Sequence, residues 1–332
     1  MSTPLAPHLE AFFTQRLMEQ KRASEHTIAS YRDTFRLLLG FMQKRSNKTP
    51  SAFALEDIDA ALVAAFLRHL EEVRKNSVTT RNVRLAAIRS FFRFLVFREP
   101  ALSGRIQGVL AIPNKRTDRK PVEHLTQEEV DAVLAAPDVS TWIGRRDRLL
   151  MEVAVDTGLR VSELVGLRRG DVQLGTGAHV RCHGKGRKER CTPLRQQVVE
   201  KLESWLGENA GADDDPLFPT VRGRPMSRDA VAYLLAKHTQ TASEQCPSLK
   251  AKRVTPHGLR HTAAVTLLES GVDPATIALW LGHESPETTQ IYLHASLQLK
   301  EKALERTQPR AAGDPPFRYR PTDQLLAFLE AL

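Results

Sequence analysis

A polar, basic stretch over residues 111–124 divides this sequence into two parts that we expect to fold around separate cores. Pro113 and Pro121 bracket the run Asn-Lys-Arg-Thr-Asp-Arg-Lys, which shows neither helical nor strand periodicity. At 332 residues the chain is long enough for two domains with proper cores. The boundaries that we predict are a first domain over 5–98, a basic linker over 99–123, a second domain over 124–305 and a C-terminal tail over 306–332. The tail carries a short amphipathic helix that we expect to dock on another protomer or to pack on its own domain.

The first domain has apolar residues at helical spacing throughout, which predicts an all-helical fold. Ser24 is suited to cap its second helix, a third helix is expected to open at Asp57 and Ile58, and the fourth is expected to begin near Thr79 or Thr80. The residues that we assign to the apolar faces of the first and fourth helices are Phe12, Phe13, Leu17, Met18, Val83, Ile88, Phe91, Phe92 and Leu95.

Positive charge is concentrated on the fourth helix and in the linker. Arg81, Arg84 and Arg89 lie on the helix, and Lys115 and Arg116 lie in the linker. These residues are candidates for contacts with a DNA backbone, or they form an ordinary solvated surface. The formal net charge of +9 is compatible with a polyanionic partner but does not require one.

The second domain combines helices with a small sheet, so the whole chain is predicted to be mainly α. A capping box over 126–129 opens it, and a long helix from about Asp147 is expected to end at Gly158 in a left-handed cap. After Asp171 the apolar period changes to that of strands separated by glycine turns. The predicted antiparallel strands are 172–174, 179–183 and 188–194, and the helices that follow are 195–206, 228–240, 257–269, 274–281 and 286–293.

Other features bear on the compartment. The cysteines Cys182, Cys191 and Cys246 make no plausible disulfide framework, which favours a reducing environment. The sequence has no apolar run of membrane-spanning length and no signal-peptide pattern at Met1. We therefore expect a cytoplasmic protein.

Groups suited to phosphate chemistry are concentrated between Thr255 and Tyr292. His257 and Arg260 are three residues apart, so a helix capped by Thr255 would present both on one face. His283 and Tyr292 follow within the same segment. A guanidinium binds non-bridging oxygens, an imidazole moves or shares a proton, and a phenol provides an oxygen nucleophile.

Taken singly, each of these residues has an ordinary structural explanation. Arg160 can be a surface cation, and Lys185 a solubilising residue of a hairpin turn. His257 and His261 have the spacing of a zinc-binding helix, but Gly258 stands where a metalloprotease needs its glutamate. We therefore expect no metal.

Their joint occurrence in order is more informative. Arg160 follows Thr-Gly-Leu, Lys185 lies in Gly-Lys-Gly-Arg-Lys-Glu-Arg, and His257 and Arg260 lie in Pro-His-Gly-Leu-Arg-His. Leu-Gly-His at 281–283 and Thr-Thr-Gln-Ile-Tyr at 288–292 follow. The pattern resembles the tyrosine recombinase (phage integrase) family, its Xer-type branch in particular. The resemblance implies a two-domain DNA clamp, with an N-terminal helical, SAM-like core-binding domain and a C-terminal catalytic domain.

The resemblance also implies how the phosphate is held. Arg160 and Arg260 would hold the scissile phosphate, and His283 would hydrogen-bond it in the transition state. His257 would be a proton acceptor or a phosphate ligand. Glu163 would orient Arg160 or a histidine.

The remaining roles concern the two oxygens that exchange on phosphorus. Tyr292 would be the nucleophile, and Lys185 the general acid that protonates the departing 5′ oxygen, with Lys188 as the alternative. Lys188 and Arg190 are further candidates for DNA contact.

The activity implied is site-specific cleavage and rejoining of DNA through a 3′-phosphotyrosyl intermediate and a Holliday junction, without metal, ATP or other cofactor. The partner would be double-stranded DNA with inverted-repeat core sites, bound by a homotetramer or by a heterotetramer with a related recombinase. The biological context would be a mobile element or Xer-type resolution. The alternatives are DNA relaxation of the type IB topoisomerase kind and a DNA-binding accessory protein without catalysis.

Overall fold

The computed structural model describes residues 2–117, 122–183 and 189–282, together with Thr289 and Tyr292. The chain forms two compact units, Met1–Arg119 and Lys120–Leu332. The predicted class, mainly α with one small antiparallel sheet, is confirmed. The amphipathic helix of the predicted tail and most of the predicted helix at 286–293 lie outside the described residues. Within the described part of the chain, each helix is too short or too polar to span a lipid bilayer.

The described residues of the first unit, 2–117, form helices joined by turns and loops. Its first helix, α1, continues into wider π-type turns over Phe12–Gln20. The helices are α1 (Leu5–Ala11), α2 (Glu25–Ser46), α3 (Ala60–Glu72), α4 (Val78–Leu95) and α5 (Ser103–Ala111).

Aromatic side chains form the centre of this unit. The centroid of the Phe12 ring lies 5.4 Å from that of Phe91 and 6.2 Å from that of Phe35. Both contacts are edge-to-face, an arrangement that aromatic rings prefer. Ser24 caps α2 as predicted, by accepting a hydrogen bond from the Thr27 amide. The third helix begins later than predicted, because the carboxylate of Asp59 accepts from the Leu62 amide and so caps α3.

Two apolar residues were placed on the wrong face. Val83 is 47% exposed, because two residues of helix turn it to the side opposite the buried Leu85. Met18 is 48% exposed, since the wider turns that follow α1 place Leu17, and not Met18, beside Phe12 in the core.

The predicted linker over 99–123 begins too early. Helix α5 lies within it and packs against α3 and α4, with Ile106 and Val109 buried. Beyond α5, the Arg81 guanidinium donates to the Pro113 carbonyl at 3.0 Å, and the Asn82 amide donates to the Lys115 carbonyl at 2.8 Å. The chain is therefore held against the first unit as far as residue 115.

In the sequence of the second unit, three strands lie between two groups of helices. Strands β1 (Val172–Gln173), β2 (His179–His183) and β3 (Glu189–Pro193) pair antiparallel in sequence order. Val180 lies opposite Val172 on one side and opposite Thr192 on the other. The α-helices in the described part of this unit are α6 (Gln127–Ala135), α7 (Trp142–Thr157), α8 (Val161–Gly166), α9 (Gln196–Glu208), α10 (Arg228–Ala242), α11 (Pro256–Glu269) and α12 (Pro274–Leu281).

Two helix ends near the start of this unit follow the predicted capping signals. Thr126 and Glu129 form a reciprocal capping box at the start of α6. Helix α7 begins earlier than predicted, because Thr141 caps it, and it ends at Gly158 with a φ of 62°. A Cβ at Gly158 would lie 2.6 Å from a methyl carbon of Leu281, so only glycine lets the end of α7 approach α12 this closely.

Candidate active site

The first functional side chain lies at the beginning of α8. Arg160 is the residue that precedes the helix, and its backbone amide donates to Glu163 Oε2 at 2.8 Å. The Arg160 guanidinium donates from Nη1 to Glu163 Oε1 at 2.9 Å and from Nη2 to the Gly282 carbonyl at 2.9 Å. Its side chain remains 34% exposed, so further N–H donors can meet a ligand from solvent.

Glu163 is shared with a second arginine, from strand β3. Arg190 donates from Nη1 and Nη2 to the two carboxylate oxygens, at 2.9 and 2.8 Å, and from Nε to the Trp280 carbonyl at 3.1 Å. Burial alone would raise the pKa of Glu163, but the hydrogen bonds from Arg190 and Arg160 outweigh it and lower that pKa. The Arg190 side chain is only 13% exposed. It therefore braces Glu163, and the DNA contact predicted for it is not supported by this geometry.

We expect Glu163→Ala to lower the free energy of unfolding by about 3–5 kcal/mol, because two guanidiniums lose a buried carboxylate. Chemical denaturation followed by circular dichroism measures this loss. The matched control is Glu208→Ala, which removes an ion pair with Arg145 between side chains 42% and 37% exposed. The control is expected to cost at most about 1 kcal/mol. Equal losses in the two variants would contradict a bracing role for Glu163.

The second predicted phosphate ligand, Arg260, is held by backbone carbonyls. It lies on α11, is 3% exposed, and donates from Nη1 to the Gly158 carbonyl at 2.8 Å and from Nη2 to the Leu281 carbonyl at 2.7 Å. Burial, and then the positive charge of Arg160, lower the pKa of Arg260 to about 10. The guanidinium therefore remains charged at neutral pH, and a bound anion would stabilise this charge.

The two arginines meet at the end of one helix. Arg260 is bonded to the carbonyl of Leu281 and Arg160 to that of Gly282, which are consecutive residues at the end of α12. Carbonyls at a helix C-terminus carry partial negative charge and stabilise cations. Gly282 has a φ of 64°, and a Cβ there would lie 2.9 Å from Arg190 Nη1. The Leu-Gly pair of the motif thus fixes both guanidiniums in one place.

The predicted nucleophile lies beside these cations. Tyr292 is 1% exposed, and its hydroxyl is 3.0 Å from Nδ1 of His261. Burial raises the pKa of Tyr292, while Arg260 and Arg160 act in the opposite direction. The net shift is upward, so the phenol carries its proton at neutral pH in the absence of DNA. His261 was considered from the sequence only as half of a zinc pattern, and its contact with Tyr292 was not foreseen.

His257 occupies the first turn of α11. Thr255 caps this helix and Pro256 is its first residue, as predicted. Desolvation lowers the pKa of His257, and Arg260 and Arg160 lower it further, so the ring favours its neutral form. Its ring centroid is 4.1 Å from that of His261. His257 is exposed, in contrast to Tyr292.

The structure thus gathers Arg160, Glu163, His257, Arg260 and Tyr292 in one region of the second unit. The predicted general acid and its alternative, and the second predicted histidine ligand of the phosphate, lie outside the described residues: Lys185, Lys188 and His283.

The candidate DNA contacts of the first unit differ from one another. Arg81 is buried and donates to the Pro113 carbonyl. Arg84 donates to the Ser30 carbonyl at 2.9 Å, so both arginines serve the packing of this unit. Arg89 is half-buried and donates to the side chain of Asn114. Lys115 pairs with Glu71 at 2.9 Å but is 55% exposed. Arg116 is exposed.

Comparison with known families agrees with this arrangement. Residues 123–298 match the phage integrase family, and residues 11–99 match the N-terminal SAM-like domain of phage integrases. The two matches fall on the second and first units respectively.

Individual proteins are similar over nearly the whole chain. An integrase/recombinase of Sinorhizobium fredii, y4rC, is 57% identical over 99% of this chain and 98% of its own length. The tyrosine recombinase XerC of Pelobacter propionicus is 34% identical over 94% of this chain and 99% of its own. Among solved structures, the XerH site-specific recombinase bound to palindromic difH substrate in a post-cleavage complex matches with a TM-score of 0.69 and 25% identity, over 86% of this chain and 81% of that one.

Proposed function

This chain belongs to the phage integrase family, and from that premise we propose that it is a site-specific DNA recombinase in which Tyr292 cleaves and rejoins the strands. The observation that carries the proposal is the juxtaposition at the end of α12. Two guanidiniums are bonded to consecutive carbonyls, and a buried phenol lies within their field. Such a site is built to receive a phosphodiester and an oxygen nucleophile together.

In the proposed cleavage step, Tyr292 Oη attacks the phosphorus held by Arg160 and Arg260. The phenolic O–H bond breaks, an O–P bond forms, and the bond from phosphorus to the 5′ oxygen breaks. The products are a 3′-phosphotyrosyl link and a free 5′ hydroxyl. One phosphodiester replaces another, so the step requires no ATP.

Three further residues complete the proposed site by their position in the family motifs. Lys185 would protonate the departing 5′ oxygen, with Lys188 as the alternative, and His283 would hydrogen-bond the phosphate. His283 follows directly after Gly282, the residue whose carbonyl holds Arg160, and this neighbourhood supports its assignment. The ring of His257 is exposed at the start of α11, which suits a contact with a phosphate arriving from solvent.

The proposed partner is double-stranded DNA carrying inverted-repeat core sites. The palindromic substrate of the XerH relative supports this choice. Exchange between two such sites would use four protomers and pass through a Holliday junction, as a homotetramer or together with a related recombinase. The side chains proposed to contact DNA from the first unit are Arg89, Lys115 and Arg116, since Arg81 and Arg84 are engaged internally.

Strand exchange between duplexes tests this function. Two duplexes that carry the target site, one fluorescently labelled and of different length, are incubated with the protein. A recombinase is expected to produce labelled strands of new length and four-way junctions. Relaxation of a supercoiled plasmid without exchanged products would indicate a topoisomerase. Binding without either product would indicate an accessory protein.

A further inference from the structure

The contact between His261 and Tyr292 has no place in the roles assigned so far. His261 Nδ1 and Tyr292 Oη are 3.0 Å apart, although 31 residues separate them in the sequence. The phenolic group can donate or accept, so the direction of this hydrogen bond depends on the tautomer of His261. With the ring proton on Nε2, Nδ1 accepts from the phenolic O–H, and the hydroxyl that must lose a proton is then already bonded to a group able to accept one.

We propose that His261, the neighbour of Arg260 on α11, is the residue that takes the phenolic proton when Tyr292 attacks phosphorus. This inference rests on the proposed function of Tyr292. The proton passes from Oη to Nδ1, giving an imidazolium. The 5′ oxygen receives its proton from the separate general acid, so the charges of the step balance. When the 5′ hydroxyl later attacks the phosphotyrosine, its proton returns to that general acid, and His261 returns its own proton to Oη.

The surroundings of His261 suit this role. Desolvation, His257, Arg260 and then His124 lower the pKa of His261 to about 4, so the ring is neutral and can accept at neutral pH. The Tyr292 ring makes an edge-to-face contact with the His261 ring, with centroids 5.5 Å apart. A phosphate bound by Arg160 and Arg260 adds negative charge, which opposes the effect of Arg260 and raises the basicity of the ring. DNA binding would thus bring the pKa of the His261 ring nearer to the pH at which the reaction runs.

The proposal separates the two histidines of α11. The phenolic oxygen is hydrogen-bonded to His261, while His257 is the exposed ring of the pair. His257 is therefore left with the alternative that the family resemblance allows, contact with the phosphate. The centroids of the two rings are 4.1 Å apart. In the same reaction, His261 would act on the phenolic hydroxyl and His257 on the phosphate.

A substrate with a 5′-bridging sulfur tests the proposal, because the thiolate leaves without a proton and the rate then depends on activation of the nucleophile. Single-turnover cleavage of this duplex is measured between about pH 6 and pH 9. The wild-type rate is expected to vary little, since its acceptor is neutral throughout. His261→Asn keeps a hydrogen-bonding group near Nδ1 but accepts no proton. Its rate at neutral pH is expected to fall about 10²-fold and to rise about tenfold per pH unit, because it needs phenolate formed beforehand.

Two other results would overturn the proposal. A His261→Asn rate that is lowered by the same factor at every pH would mean that His261 only positions the hydroxyl. If His257→Asn shows the pH-dependent loss of cleavage rate and His261→Asn keeps the wild-type rate, the phenolic proton is assigned to His257. Neither result touches the function of Tyr292, which wild-type adduct formation reports independently.

A second variant guards against misfolding of the first. His261→Ala leaves space for free imidazole, and added imidazole is expected to restore at least about tenfold of its lost cleavage rate. His257→Ala, treated in the same way, serves as the matched control and is expected to gain nothing. Rescue of His257→Ala alone would contradict the assignment.

Discussion

Tyr292→Phe is expected to abolish covalent capture of DNA, lowering the rate of adduct formation by at least about 10⁴-fold. Phenylalanine fills nearly the same buried volume but lacks the attacking oxygen. The measurement uses a nicked duplex, from which the short cleaved fragment diffuses away and leaves the protein attached. Adducts are counted on a denaturing gel.

Tyr233→Phe is the matched control for this variant. Tyr233 lies on α10 of the same unit but is 73% exposed, so loss of its hydroxyl is expected to leave adduct formation unchanged. Persistent adducts in Tyr292→Phe would show that another residue is the nucleophile. Gel-shift assays are expected to show normal DNA binding by both variants.

Arg160→Lys is expected to lower the single-turnover cleavage rate by about 10³-fold while DNA binding is retained. Arg160 uses two nitrogens to reach Glu163 and the Gly282 carbonyl at once, and its planar group still presents donors outward. An ammonium is a single point of charge and cannot keep both contacts while binding two phosphate oxygens.

The matched control is Arg224→Lys, at an exposed arginine of the loop between α9 and α10. Its cleavage rate is expected to equal that of the wild type. A wild-type rate for Arg160→Lys would remove Arg160 from the reaction. Parallel losses of binding and cleavage would mean that Arg160 acts in DNA affinity and not in the chemical step.

Local signals in the sequence were sufficient for much of the fold. Capping depends on residues within one turn, so Ser24, the box at Thr126 and the cap at Thr255 could be read directly. The change from helical to strand periodicity likewise located the sheet. Helix α5 was missed because it is short and two glycines, Gly104 and Gly108, weaken its helical signal.

Long-range partners could not be predicted in the same way. Arginines such as Arg81 and Arg190 are expected at the surface from the sequence alone. Only the tertiary structure supplies the Pro113 carbonyl and the Glu163 carboxylate that accept hydrogen bonds from them and allow their burial. For the candidate site, the motif pattern named Arg160, Arg260 and Tyr292 as phosphate ligands and nucleophile, which stay proposals. No spacing rule relates His261 to Tyr292, since their contact depends on how the chain returns to α11.

The central claim is that the Tyr292 oxygen becomes bonded to phosphorus at a site held by two arginines. Mass spectrometry of the proteolysed adduct from a nicked duplex tests it most directly. We predict a nucleotide joined through its 3′ phosphate to the peptide that contains Tyr292, together with a DNA fragment ending in a 5′ hydroxyl. Attachment to any other side chain, or cleavage that leaves a 5′ phosphate and no covalent peptide, would contradict the account.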